Sequence, residues 1–353
     1  MEYCYLGHSG LEVSRLGIGS IPFGTVFDEA ASRNIVDMAF DAGCNLIDTS
    51  NIYGGGLRGM HDQGAGTSER TVGQTIRGRR DQFVVATKGY YVMSEDVRPN
   101  SVGLSRAYLT TQIEASLQRL GTDYIDLYQC HARDFYTPIE ETMRVLDDFV
   151  KAGKIRYVGV SNWDGWHVVK ANQVAQAKGL TRFVSNQIWY NLADRVAEHS
   201  VIPACRDEQV SIVVWGAQAQ GFLTGRYRRG AERPPAGTTF DIMQDCESSA
   251  WGNLAIERNW CTIDRLDDIG QRHGKSIPQI ALAWLLQSGN CDVALMGGSK
   301  IEHYAEALES LQIQLSVEEI QELTAVSEVA ASYPMNFLNL FCRRESSFYG
   351  GLR

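Results

Sequence analysis

Eight times along this chain, a short apolar run is followed by a stretch with helical spacing. The runs are Leu16–Ser20, Asn45–Thr49, Phe83–Thr87, Ile125–Gln129, Tyr157–Ser161, Phe183–Gln187, Ile212–Trp215 and Val293–Met296. Short apolar runs bounded by polar turns read as strands buried on both faces. When each strand is followed by a helix, the strands must run parallel, with right-handed crossovers. An open, doubly wound sheet uses the same units. The count of eight and a hairpin signal at the start of the chain favour closure into a barrel.

That hairpin signal is Tyr3–Leu6 and Leu11–Ser14 flanking Gly7-His8-Ser9-Gly10. Helices are expected over Asp28–Ala42, over Ser68–Arg77 with capping groups in Thr67-Ser68-Glu69, and over Ser105–Leu120. The last of these carries Leu109, Ile113, Leu117 and Leu120 at helical spacing. Thr137 ahead of Pro138 and Glu140 reads as an N-cap, with the helix running to Ala152 and stopped by Gly153. Asp164–Lys178 ends at Gly179 in the same way, and Val317–Ala330 is the final helical region. The expected fold is therefore α/β, a TIM (β/α)8 barrel with an N-terminal β-hairpin and extended loops at its C-terminal face. Such barrels take roughly 250 residues or more as one unit, so residues 1–353 are read as one domain. Residues 1–15 and 332–353 are appendages, and the tail's aromatics (Tyr333, Phe337, Phe341, Phe348 and Tyr349) suggest that it docks.

Two stretches interrupt the rhythm: the glycine-rich Gly54–Gly66 and the long Gly221–Trp260. Each follows a strand, which places both on the face where these barrels keep their active sites. Gly54-Gly55-Gly56-Leu57-Arg58-Gly59 satisfies the GxGxxG pattern. No helix opens directly from it, and no acidic residue ends a second strand about 20 residues on, as a dinucleotide fold requires. It reads as a substrate loop.

The formal net charge of −9 argues against general affinity for nucleic acid or anionic membrane. No run approaches the roughly 18 apolar residues of a membrane-spanning helix, and the first residues lack the pattern of a secretory signal. Eight cysteines are scattered without C-x-x-C spacing, and Cys130 and Cys291 lie in apolar runs. They read as reduced thiols of a cytoplasmic protein, and no metal site is expected.

Four ionisable residues stand at or just beyond the ends of consecutive strands: Asp48, Tyr53, Lys88 and His131. In a barrel these strand ends are neighbours. Taken alone, each residue has an ordinary reading as a cap, a packing aromatic, a surface lysine or a satisfied histidine. Together, they resemble a known pattern. Asn45-Leu46-Ile47-Asp48-Thr49-Ser50-Asn51-Ile52-Tyr53-Gly54 looks like the signature of the aldo-keto reductase superfamily. The resemblance covers nearly the whole chain. It extends through Leu6–Ser14, Ala86-Thr87-Lys88, Asp126–His131, Gly159–Asn162, Asn186–Leu192, Gly221–Gly225 and Gly297–Lys300. The long loop after the seventh strand is similar to the branch that holds potassium-channel β subunits and many bacterial reductases.

This resemblance implies an oxidoreductase moving hydride between NADP(H), or NAD(H), and a carbonyl or alcohol carbon of a small molecule. Tyr53 would be the general acid or base. Lys88 would lower the Tyr53 pKa from its ordinary ~10, Asp48 would hold Lys88, and His131 would hydrogen-bond the substrate oxygen. Ser161, Asn162 and Gln187 match the positions that bind the nicotinamide carboxamide, and Trp215 the one that stacks on its ring. Gly216, Ala217, Gln218, Gly221, Leu223 and Gly225 would wrap the pyrophosphate, although the usual Ser-Pro-Leu after the aromatic is replaced by Gly216-Ala217-Gln218. Gly298, Ser299 and Lys300, ahead of a helix over Ile301–Glu309, would take a 2′-phosphate. His303 would touch adenine, with Ala307 standing where an asparagine is common. The alternative is a redox-sensing regulatory subunit resembling channel β subunits, or another chemistry on the same barrel. The substrate is not readable: Trp163, Trp189 and Trp251 fit a pocket wall and core packing equally well. A homo-oligomer is left open.

Overall fold

The computed structural model of the chain describes residues 1–54, 64–94, 96–242 and 251–342. Strands β1 (Tyr3–Tyr5) and β2 (Glu12–Ser14) form the antiparallel hairpin. Strands β3 (Leu16–Gly19), β4 (Leu46–Asp48), β5 (Val84–Gly89), β6 (Ile125–Cys130), β7 (Ile155–Ser161), β8 (Ser185–Trp189), β9 (Ser211–Trp215) and β10 (Val293–Met296) close into a barrel. Each pairs in parallel with its sequence neighbours, and β10 returns to β3. All eight expected strands are present. The fold is the TIM (β/α)8 barrel with its hairpin.

The barrel interior is filled by Leu46, Val84, Ala86, Leu127, Val213, Val293 and Leu295. Leu6 and Val13 of the hairpin join this cluster and plug the N-terminal end of the barrel. Gly7 turns there at a φ of +56°, and a Cβ on it would lie 2.4 Å from the Val184 carbonyl oxygen. Only glycine permits so close an approach. The larger apolar layer lies between barrel and helices. Burying one aliphatic side chain of either layer contributes about 1.5–3 kcal/mol.

Helices α1 (Glu29–Asp41), α2 (Thr67–Thr75), α3 (Arg106–Leu120), α4 (Ile139–Lys151), α5 (Gly165–Lys178) and α6 (Val201–Asp207) follow the strands in turn. The short α7 (Thr239–Ile242) and α8 (Trp251–Leu254) lie in the long connection after β9. Next come α9 (Glu257–His273), α10 (Ile277–Gln287), α11 (Ile301–Glu309), α12 (Val317–Val326) and α13 (Met335–Cys342). Asp28 caps α1 by accepting from the Ala31 amide at 2.8 Å, and Ser105 caps α3.

Several boundaries differ from expectation for local reasons. The Phe183–Gln187 run is a strand two residues later, because Trp189 pairs with Trp215 across β8 and β9. Thr137 does not cap α4: its hydroxyl donates to Asp134 Oδ2 at 2.7 Å, and Pro138 occupies the cap position. Gly66 stands at the start of α2 at a φ of +79°, and the Ser68 hydroxyl is used instead on the Ser20 carbonyl at 2.7 Å. Helix α12 stops at Val326, short of Ala330. The tail does not dock through its first aromatics: Tyr333 is 78% and Phe337 48% exposed. Phe348 and Tyr349 lie outside the described residues, as does most of the Gly54–Gly66 stretch. Among the described residues, no helix is long and apolar enough to cross a membrane.

Candidate active site

Strand β4 is short, yet its chain keeps pairing with β5 beyond Asp48. The Thr49 amide donates to the Ala86 carbonyl at 2.8 Å, and the Asn51 amide to the Lys88 carbonyl at 3.0 Å. This extension leads the chain across the barrel mouth and brings Tyr53 to Lys88. Lys88 Nζ is completely buried and donates to an Asp48 carboxylate oxygen, to the Thr49 carbonyl at 2.9 Å and to Tyr53 Oη at 3.1 Å. All three ammonium protons therefore have acceptors. The other Asp48 oxygen accepts from Gln129 Nε2 at 3.1 Å and Gln187 Nε2 at 2.7 Å. His131 stands beside them, with its ring 5.7 Å from that of Tyr53 and nearly perpendicular to it. Its Nδ1 is 3.0 Å from Ser50 Oγ, and the Tyr91 ring packs 4.9 Å away.

Burial is the largest single influence and works against the Lys88 charge, but the charges and hydrogen bonds of Asp48 and Tyr53 together outweigh it and hold the ammonium above the usual lysine pKa. For Tyr53 the balance runs opposite to the sequence expectation. Lys88 pulls the phenol down, but burial is the larger effect and Asp48 adds to it, so the pKa lies above the usual 10.0. The phenol holds its proton at neutral pH. Burial, and then the Lys88 charge, push the His131 pKa well below 6.5, so the imidazole is neutral. The site thus combines one buried cation, a protonated phenol and a neutral imidazole at the open end of the barrel.

Next to this group, Ser161 and Gln187 are register partners at the ends of β7 and β8. Asn162 follows at a φ of +57°, its Nδ2 donating to Ser161 Oγ and its Oδ1 accepting from Trp215 Nε1 at 2.8 Å. Trp215 is partly exposed, and the ring of Trp189, its register partner on β8, packs 4.9 Å away.

The family model described as the aldo/keto reductase family matches residues 15–328 of this chain. The chain belongs to the aldo/keto reductase family. It is 34% identical to an uncharacterized oxidoreductase, YrpG, of Bacillus subtilis, over 92% of this chain and 96% of that protein. It is 33% identical to norsolorinic acid reductase of Aspergillus flavus, over 94% and 82% of the two chains. It is 32% identical to versiconal hemiacetal acetate reductase of Aspergillus parasiticus, over 92% and 96%. The chain is therefore an oxidoreductase of a family that works with nicotinamide cofactors on small-molecule carbonyl compounds.

In this aldo/keto reductase the segment after β9 forms a tight, irregular belt. Gly216 has a φ of +69°, and a Cβ there would meet the Trp189 ring at 2.4 Å. Ala219, Gln220 and Gly221 all have positive φ. The amides of Gly221 and Leu223 both donate to the Gln218 carbonyl, at 2.9 and 3.1 Å, so these two N–H groups are already engaged within the belt. Ala217 is buried, and Gly225 ends the belt at a φ of +74°. At the far side Gly298, Ser299 and Lys300 lead into α11, and the His303 ring lies directly against Gly298. Ser299 and Lys300 are exposed. Ala307 is 4% exposed, so it faces the core.

The sequence reading missed four positions. Ser50 and Gln129 hold His131 and Asp48, Tyr91 flanks His131, and the Arg226 guanidinium lies over Gly221. Arg226 directly follows the recognised run Gly221–Gly225 and was findable as a cation beside the expected pyrophosphate belt. Ser50 lies inside the recognised signature itself. Trp163 and Trp251 prove to be core residues, at 3% and 6% exposure, and only Trp189 of the three stays at the mouth.

Proposed function

We propose that this chain reduces a small-molecule carbonyl with NADP(H), using Tyr53 as the proton donor. The observation that carries this reading is the Tyr53 hydroxyl, 3.1 Å from the Nζ of the buried Lys88, with the His131 ring beside it at the barrel mouth. Reduction needs a hydride at carbon and a proton at oxygen, and the bound nicotinamide would supply the hydride. Tyr53 Oη gives up its proton to the nascent alkoxide. As negative charge then builds on the phenol oxygen, the Lys88 ammonium stabilises it without having to move. Asp48 keeps that ammonium charged and aimed. The neutral His131 presents Nε2–H to the carbonyl oxygen and fixes its angle.

The residues at the mouth fit a nicotinamide cofactor. Ser161 keeps its hydroxyl proton free to donate, and Gln187 keeps Oε1 free after its amide has bonded to Asp48. Both suit a carboxamide. Asn162 aims the Trp215 ring through Oδ1 and keeps a second Nδ2–H for the carboxamide. Arg226 and the belt Gly216–Gly225 would meet the pyrophosphate, and Lys300 with Gly298 and Ser299 a 2′-phosphate at the start of α11. His303 would meet the adenine. The ring wall of Tyr91, Trp189 and Trp215 supports a planar, aromatic carbonyl as substrate, and relatives include a norsolorinic acid reductase and a versiconal hemiacetal acetate reductase. The same reading takes residues 1–353 as one unit working in the cytoplasm. Turnover of NADPH with a panel of aromatic aldehydes and ketones, by the parent and by Tyr53→Phe, tests it. The variant should lose nearly all turnover and retain NADPH affinity, and equal rates for both proteins would sink the assignment.

A further inference from the structure

Helices in this barrel run back from the mouth, so their C-terminal ends lie at the opposite end from Tyr53 and Lys88. There α2 and α3 end side by side and border an open cavity of about 580 Å³. That volume is in the range of small-molecule sites. Helix α2 supplies Arg70 and Gln74 one turn apart, α3 supplies Gln118 and Arg119, and the turn after α2 supplies Arg77 and Arg80. The mouth is open, since a Cβ on Gly78 or Gly121 would meet nothing within 4 Å.

Four guanidinium groups around one cavity call for an explanation in a chain with a net charge of −9. Two of them are built into the fold. Arg119 donates to the buried Glu69 at 2.5 Å, and Arg80 to Asp126 at 2.6 Å and to the Phe83 and Tyr124 carbonyls. Arg80 Nε is nevertheless buried without an acceptor. The other two, Arg70 and Arg77, meet no carboxylate or carbonyl among the described residues. Arginines at a helix end often serve its unpaired carbonyls. Here that task is done by other residues: Arg33 takes the carbonyls of Gln74 and Thr75 at 2.7 and 2.9 Å, and Arg79 adds to Thr75. Arg70 and Arg77 are left over, facing the same space.

We propose that this cavity binds a small, multiply charged phosphate-type anion, held by Arg70 and Arg77, while Arg80 and Arg119 form a floor tied down by Asp126 and Glu69. Guanidinium groups pair with phosphate oxygens through forked, charge-assisted hydrogen bonds. The apolar flank of Ile76 and Leu120 lowers the local dielectric and strengthens such bonds. The site lies at the other end of the barrel from the proposed cofactor belt and does not depend on that reading.

The test is a calorimetric titration of the full chain with inorganic pyrophosphate at low ionic strength, with and without saturating NADPH. Saturable binding is expected in both conditions. R70Q/R77Q should weaken it about ten-fold or more, leave carbonyl turnover unchanged and leave the melting temperature near that of the parent. Lys300→Ala should leave pyrophosphate binding at the parental level in the presence of NADPH. The proposal is overturned if no saturable heat appears up to roughly 10 mM. It is also overturned if R70Q/R77Q binds like the parent, or if Lys300→Ala alone removes the signal.

Discussion

Ser50 Oγ lies 3.0 Å from His131 Nδ1, and both groups are buried. A neutral imidazole carries one proton, and the hydrogen bond at one nitrogen decides where it sits. If the Ser50 hydroxyl donates to Nδ1, the proton must be on Nε2, the nitrogen needed to hydrogen-bond a carbonyl oxygen. Ser50→Ala should therefore let the Nδ1–H tautomer compete. Losing one neutral hydrogen bond of this kind costs about 0.5–1.5 kcal/mol, so turnover should fall roughly two- to ten-fold with little change in cofactor affinity. Nitrogen-15 NMR of the His131 ring reads the tautomer directly. An Nδ1–H signal already dominant in the parent would refute the argument.

Asp48 is the acceptor for Lys88, Gln129 and Gln187 at once. Asp48→Asn leaves a buried ammonium without its counter-ion, a loss on the order of 3–5 kcal/mol. The sign with pH can be worked out. The folded-state pKa of Lys88 is raised, so its contribution is fully present below about 10.5 and is lost as pH rises through the folded value. The His131 pKa is lowered well below 6.5, so the unfolded chain takes up that proton first, and stability falls as pH drops below about 6.5. Denaturant unfolding across pH should show Asp48→Asn converging on the parent at high pH. A constant gap from pH 7 to beyond pH 11 would contradict the assignment.

The strand order and the tetrad were legible because both are written locally. Apolar runs mark strands, and Asp48, Lys88 and His131 sit at strand ends whose adjacency follows from closure. What was not legible depends on contacts far apart in sequence. Nothing local to Ser50 says that its hydroxyl meets a ring 81 residues later. Gln187 was expected at the carboxamide, but its tie to Asp48 exists only because the barrel interior brings β4 and β8 together. The direction of the Tyr53 shift was misjudged for a related reason. The lysine is visible in sequence, while the depth of burial that outweighs it is not.

Lys300 stands exposed at the start of α11, beside Gly298 and Ser299. A phosphate there gains from the free helix amides and from the ammonium, and NADH has no such phosphate. Removing a charged hydrogen bond costs on the order of 1.5–3 kcal/mol. Lys300→Ala should accordingly weaken NADPH about ten-fold or more and leave NADH nearly unchanged. Parallel fluorescence titrations with the two dinucleotides check this, and equal losses for both would show that the cofactor's adenine end lies elsewhere.

Trp215 is held at two points: Asn162 Oδ1 accepts its Nε1–H at 2.8 Å, and the Trp189 ring packs against it at an interplanar angle of 62°. A ring fixed in this way offers a preset surface for a nicotinamide and limits it to one pose, which serves orientation more than affinity. Trp215→Leu should raise the NADPH dissociation constant and also slow single-turnover hydride transfer. Asn162→Ala should reproduce part of the second effect with the ring still present, because the ring loses its aim. Tryptophan emission should be quenched by NADPH in the parent, and much of that quench should vanish in Trp215→Leu. The other six tryptophans contribute a background, so the difference between the two proteins is the measurement that counts. If Trp215→Leu quenches like the parent and transfers hydride at the parental rate, the ring is a packing residue. The nicotinamide would then have to lie against another part of the mouth.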